Sequence, residues 1–266
     1  MNFLKAIFNN KENKFKVGDS WNDYNFKTFI EFNKLQDSED EFKREKIYSL
    51  FTDTPLDTWL KPHKPELFRS FDEQLNFLSE EPKTKLPTHI YRESKDKLYK
   101  INKEFREVKA GRYYNILNYV STLSEESTTE ETLEVMASCI AVCGLDIIYD
   151  TEDYEECVEE VLKTMPADEA YTLGCFFFEQ IKRIESEHSK NMVNKKPDDA
   201  YYQARFSDLN SNFGRLVDIH NISKGVITDS IKVMEFSIGY VYAWQEYESQ
   251  YSRCEDIYRD LKTKKR

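Results

Sequence analysis

The sequence predicts a mainly α-helical protein, a multi-helix globular bundle with one small β-hairpin near residues 88–102. Three observations carry this expectation. Apolar residues recur at spacings of three and four along most of the chain, which places them on single helix faces. Gly and Pro number only seven each in 266 residues, so loops should be short. One stretch alone, beginning between Pro82 and Pro87, departs from the helical period and reads as two short β-prone runs.

Residues 1–19 are mostly polar and are expected to be loosely held. From Ser20, a candidate N-cap, the residues Trp21, Tyr24, Phe26, Phe29, Ile30, Phe32 and Leu35 predict a first helix. Ser38 is expected to cap a second, with Glu39, Asp40 and Glu41 in its first turn and Phe42, Ile47, Leu50 and Phe51 as its apolar positions. Thr54-Pro55 signals a short helix reaching Trp59 and Leu60, with proline at its first position. Pro65 opens another, with Leu67, Phe68, Phe71, Leu75 and Leu78 on the buried side. Thr88–Arg92 and Lys97–Asn102 then flank Glu93-Ser94-Lys95-Asp96 as a hairpin. A boundary near 80–90 is expected, dividing a small helical part, 1–85, from the hairpin and main helical domain, 86–266.

The main domain should begin with a helix from about Ala110, carrying Tyr113, Ile116, Leu117 and Val120 on one side. Thr129 opens the next with glutamates in its first turn, favourable at the positive end of the helix dipole, and Gly144 is expected to end it. Thr151 caps a helix with Tyr154, Val158, Val161 and Leu162 inward and Glu152, Asp153, Glu155, Glu156, Glu159 and Glu160 outward. Three long apolar segments follow. The first has Ala170, Leu173, Gly174, Phe177, Ile181 and Ile184. The second has Tyr202, Phe206, Leu209, Phe213, Leu216, Val217 and His220. The third has Ile227, Ile231, Met234, Ile238, Val241 and Tyr242 and reads as one unbroken helix.

Net charge is −11 and unevenly spread. Between Arg112 and Lys163 there are thirteen acidic residues and no basic one. A surface of one negative sign repels nucleic-acid phosphates and anionic lipid and attracts basic proteins. Nucleic acid and membrane are therefore not expected partners of this half; a merely solvated acidic surface is the plain alternative. No apolar run is long enough for a membrane span and no signal peptide is apparent. Five cysteines, an odd number, argue against a disulfide framework; Cys139 and Cys143, four apart on one helix face, read as small core residues.

No residue pattern predicts a catalytic centre, cofactor or metal. Glu185 and His188 form a Glu-x-x-His pair, the unit that di-iron bundles use twice, but no second pair exists, and His188 reads as part of a solvated helix end. His220 reads as a half-buried core histidine. The glycines never cluster into a phosphate-cradling loop. Phe176, Phe177 and Phe178 cannot all face one way, and Tyr240, Tyr242, Trp244, Tyr247, Tyr251 and Tyr258 spread around the last helix, serving either packing or partner contact. Tyr247, Tyr251 and the six carboxylates of residues 152–160 are the candidate partner-binding residues.

Two passages carry a resemblance. Lys97-Leu98-Tyr99-Lys100-Ile101-Asn102 with Val108-Lys109-Ala110-Gly111-Arg112-Tyr113-Tyr114-Asn115-Ile116-Leu117 is one; Asn212-Phe213-Gly214-Arg215-Leu216-Val217-Asp218-Ile219-His220 with Tyr242-Ala243-Trp244-Gln245 is the other. Over about residues 88–262 the chain resembles tail-region and assembly-type proteins of tailed bacteriophages, including the crAss-like phages of gut Bacteroidetes. The resemblance implies a non-enzymatic virion or tail protein that acts through protein–protein contacts. It would be a tail-borne cargo or structural component, or a tail-assembly chaperone, found in the virion or host cytoplasm with other tail proteins as partners. The alternative is a host-takeover effector that binds a basic bacterial protein through its acidic surface.

Overall fold

The computed structural model describes residues 17–52, 54–61, 65–82, 84–101, 105–124, 126–148, 151–192 and 215–263. The fold is mainly helical with one two-stranded antiparallel hairpin. Its helices are α1 (Phe26–Asp37), α2 (Lys43–Thr52), α3 (Leu56–Trp59), α4 (Pro65–Gln74), α5 (Ala110–Ser121), α6 (Thr129–Cys139), α7 (Glu152–Thr164), α8 (Ala167–Asn191), α9 (Arg215–Ile222), α10 (Ile227–Glu235) and α11 (Ile238–Thr263). Strands β1 (His89–Arg92) and β2 (Lys97–Lys100) follow α4. Tyr202, Phe206, Leu209 and Phe213 of the second long segment lie outside the described residues.

The centre of the bundle is the pair α6 and α8, with α1 against both and α7 alongside α1 and α6. A small residue makes the close approach possible: Gly174 of α8 is buried against Met136 of α6. A Cβ on Gly174 would stand 2.6 Å from Cβ of Met136. Gly174→Ala therefore overpacks the α6–α8 contact. A loss of about 1–3 kcal/mol is expected in denaturant unfolding, despite alanine's better helix propensity.

The same cluster of buried residues runs from Trp21 to Tyr242, across the boundary expected near 80–90. Trp21 packs edge-on to Phe29 and Phe77, and its indole N–H donates 3.0 Å to the Glu80 carbonyl. Helix α1 carries this aromatic group onto α8, where Phe29 meets Tyr171 at 5.6 Å.

Local signals set many of the boundaries. Thr128 caps α6 in a reciprocal box with Glu131, and Thr151 caps α7 by accepting from the Tyr154 N–H. Three expectations differ. Ser20 starts only a single 3-10 turn, Trp21–Asp23, and Asn25 caps α1. Ser38 closes α1 rather than capping α2; its hydroxyl donates back to Leu35 O, while Asp40 accepts from Phe42 N. Pro55 is the cap residue of α3 rather than its first helical residue.

The largest departure is in the third long segment, which breaks at Phe236–Ser237 into α10 and α11. The backbone there pairs elsewhere: Ala110 N donates to Phe236 O, and Ile238 N to Val108 O, both at 2.7 Å. The same clasp joins α1 and α8, where Phe26 N donates to Met165 O at 3.0 Å and Ala167 N to Tyr24 O at 2.8 Å. In each clasp, two helix starts satisfy one of each other's orphan N–H groups, so the four buried first residues need no water. The break also turns α10: Val233 is buried, whereas Ile231, expected inside, is exposed.

Candidate functional site

Three arrangements hold the residues that the sequence singled out. The first joins the hairpin to α7. Alternation along β1 leaves His89 and Tyr91 outside and turns Ile90 and Arg92 onto the body, as a strand's period of two requires. Ile90 reaches Gly144, and Arg92 follows it inward with only 1% of its side chain exposed. There Arg92 Nη2 meets Asp153 Oδ1 at 2.8 Å, and Nε meets Glu160 Oε2 at 3.2 Å. Glu156 lies 3.5 Å from Arg92, and Lys95 joins Asp153 and Glu156 from the turn. Glu160 also accepts from both N and Oγ of Ser94, which fixes the hairpin turn onto the helix. Asp96 completes that turn in the left-handed region at φ 45°.

Three of the six expected partner-binding carboxylates thus hold this chain's own hairpin. Glu152 and Glu155 are exposed, and Glu159 pairs with Lys163 one turn on. The hydrogen-bonded Arg92 guanidinium holds Asp153 below the usual carboxylate range. Burial pushes Glu160 up, but the Ser94 hydrogen bonds and Arg92 outweigh it and leave Glu160 low as well. Depressed folded-state values mean that the associated stability is present above the unfolded pKa, roughly 4. It is lost as the pH falls through the folded values. Hydrogen exchange of residues 89–101 is therefore expected to accelerate more than that of α8 once the pH drops below about 4. Equal acceleration of both would show that the carboxylates do not secure the hairpin.

The second arrangement surrounds Glu185 and His188. His188 is buried, not at a solvated helix end: its ring stacks on Tyr242 at 3.8 Å, with Nδ1 3.1 Å from Glu246 Oε1. Asn191 donates to the other Glu246 oxygen at 3.0 Å. Glu185 accepts from Tyr113 OH at 2.8 Å and from Tyr242 OH. The carboxylate is engaged by two phenols and joins α5 to α11 through α8, so it ties together the two passages that carry the resemblance. Among the described residues, no three His, Cys, Asp or Glu side chains gather as metal ligands. His220, expected half-buried, is exposed and lies against Gly225, whose φ of 78° lets the chain turn there. Burial pushes the thiols of Cys139 and Cys143 up, and that of Cys157 to about 12, as expected for packing residues rather than nucleophiles.

The third arrangement is on the outside of α11. Ile238, Val241 and Tyr242 face the body and are buried. Tyr240, Trp244, Tyr247, Tyr251 and Tyr258 share the opposite face and are 41–62% exposed. The aromatics of this helix do not spread around it: only Tyr242 goes inside. Trp244 lies 5.9 Å from Tyr247, and Tyr247 stacks 6.0 Å from Tyr251. At its N-terminal end this stripe meets an open groove of about 330 Å³. Val233, Phe236, Tyr240 and Trp244 line its apolar side, with Lys224 and Lys232 among its polar residues. Ring spacing at intervals of four and three carried this signal in the sequence. Assigning the inner face needed the contacts of Tyr242.

These features define a mainly α, hairpin-bearing protein with a partly buried structural polar network and an aromatic outer surface. No family model, curated protein or solved structure matches the chain. Among the described residues, no helix is long and apolar enough to cross a membrane.

Proposed function

We propose that this protein works by binding other proteins, as a non-enzymatic component or assembly factor of a tailed bacteriophage. The observation that carries the reading is the stripe Tyr240, Trp244, Tyr247, Tyr251 and Tyr258 with its adjoining groove. Large aromatics are the preferred anchors of protein interfaces, and a contiguous exposed set of them is uncommon on a surface with no contact role. The polar groups that suggest chemistry have structural work: Glu185 and His188 join helices, and Asp153 and Glu160 hold Arg92. The tail or assembly role rests on the sequence resemblance described above.

Mass spectrometry of purified particles, combined with cross-linking in infected cells, tests this reading. Abundant peptides of this chain in the particle support a tail component. Their absence, with cross-links to a tail protein during assembly, supports a chaperone. Cross-links confined to a host protein would replace the reading with that of an effector, and turnover of a small molecule by the purified chain would overturn it.

A further inference from the structure

We propose that the outer face of α11 is a self-association seam through which two copies of this chain pair as an antiparallel helical dimer. The inference rests on reading that face as a contact surface and names its occupant. The exposed positions are Tyr240, Trp244, Tyr247, Tyr251, Cys254 and Tyr258. Their spacing is four, three, four, three, four, the a/d repeat of a coiled coil. Leu261 continues the series in sequence.

The spacing reads the same in both directions. Turned about an axis level with residue 249, Tyr240 meets Tyr258 of the second copy, Trp244 meets Cys254, and Tyr247 meets Tyr251. Each layer then pairs an a position with a d position, and the same patch serves both partners, as a twofold interface requires.

Charge favours the same orientation. Residues 238–250 contain Glu246 and Glu248 and no basic residue. Residues 251–263, the rest of the helix, contain three basic and three acidic residues. Antiparallel pairing lays the acidic half of each helix against the charge-balanced half of the other, whereas parallel pairing would set the two acidic halves together.

Area and helix stability agree. An aromatic side chain buries about 150–250 Å² when fully covered. Five rings that are about half exposed therefore offer roughly 500 Å² per copy, or about 1,000 Å² in the pair, the lower bound for a specific interface. Residues 251–259 of α11 are all exposed. A helical stretch of that length is marginal in water without a packed face.

Sedimentation velocity on the full chain between about 1 and 100 μM is expected to show a species of twice the 31.7 kDa chain mass. The double substitution Tyr247→Glu, Tyr251→Glu should weaken dimerisation by at least about 100-fold, with thermal unfolding of the monomer unchanged because both side chains are exposed there. Glu248 flanks the axis beside its own symmetry mate, so Glu248→Gln should tighten the dimer several-fold. Under a mild oxidant such as diamide, Trp244→Cys should form a disulfide between copies through Cys254. The wild type should not, because Cys254 is far from its symmetry mate in this orientation.

A monomer at 100 μM, or a dimer indifferent to the double substitution, overturns the proposal. Disulfide formation by wild-type Cys254 overturns the antiparallel orientation. A monomer whose double variant still loses a cross-linked tail protein would leave the contact-surface reading standing while removing self-association.

Discussion

Arg92→Met is expected to destabilise the protein by about 3 kcal/mol, at the lower end of the cost of removing one partner from a buried ion pair. The arginine side chain is 1% exposed, while Glu160 is 11% and Asp153 44% exposed. Glu160 would be left shielded from water with only the Ser94 hydrogen bonds, whereas Asp153 can rehydrate, which keeps the loss from being larger. Methionine preserves much of the apolar stem, so the loss reports the guanidinium. Arg92→Lys should recover only part of it, because an ammonium cannot bridge Asp153 and Glu160 with a planar fork. Denaturant unfolding of both variants measures the effect. In a cycle with Glu160→Gln, the two losses should fall short of additivity by at least about 1 kcal/mol. Additive losses would mean that Arg92 is held by packing alone. Neutralising all six carboxylates of α7 is therefore no clean test of partner capture, since Asp153, Glu156 and Glu160 face Arg92. Substituting Glu152, Glu155 and Glu159 leaves the hairpin's anchor in place.

Trp59→Ala is expected to cost about 3–5 kcal/mol, the range for truncating a large buried aromatic. Trp59 is 1% exposed and closes the second aromatic group of the N-terminal half, 5.1 Å from Tyr48 and edge-on to Phe71 at 4.8 Å. Helix α3 is only four residues long and has no side-chain cap, and its indole packs it against Tyr48 of α2 and Phe71 of α4. Tyr48 depends on the same packing. Its hydroxyl donates to Asp72 and accepts from Arg44, each at 2.6 Å, and burial raises its pKa to about 12. Because the N-terminal aromatics are continuous with the α6–α8 core, the loss should appear as one cooperative shift of the whole unfolding transition. A separate early transition, with α8 still protected from exchange, would show that residues before Pro82 unfold on their own.

Much of the helical layout was legible before the fold. Thr129 with its first-turn glutamates, Thr151, Pro65 and Ala110 all mark starts that the structure keeps, because caps and first-turn residues act within one turn of the backbone. The hairpin turn at Glu93–Asp96 was legible for the same reason. The polar network at Glu185 and His188 was half legible. Glu-x-x-His placed Glu185 and His188 on one face, but their partners Tyr113, Tyr242 and Glu246 arrive from α5 and α11, far away in sequence. Tyr48 was missed as a core residue because its hydroxyl counts as polar until Asp72 and Arg44 are seen to satisfy it.

By itself, then, the sequence determined the mainly helical class, the hairpin, the uneven charge and the helix starts at Pro65, Ala110, Thr129 and Thr151, which depend on residues close together in the chain. Tertiary structure alone decided three things. It diverted Phe236–Ser237 from helix into a clasp with Val108 and Ala110, because the backbone groups of Ala110 and Ile238 find partners 126 and 130 residues away in the chain. It turned part of an acidic face into the seat of a buried arginine. It also sorted the rings of the last helix into one inside and five outside, since which face of a helix meets the body depends on what packs against it.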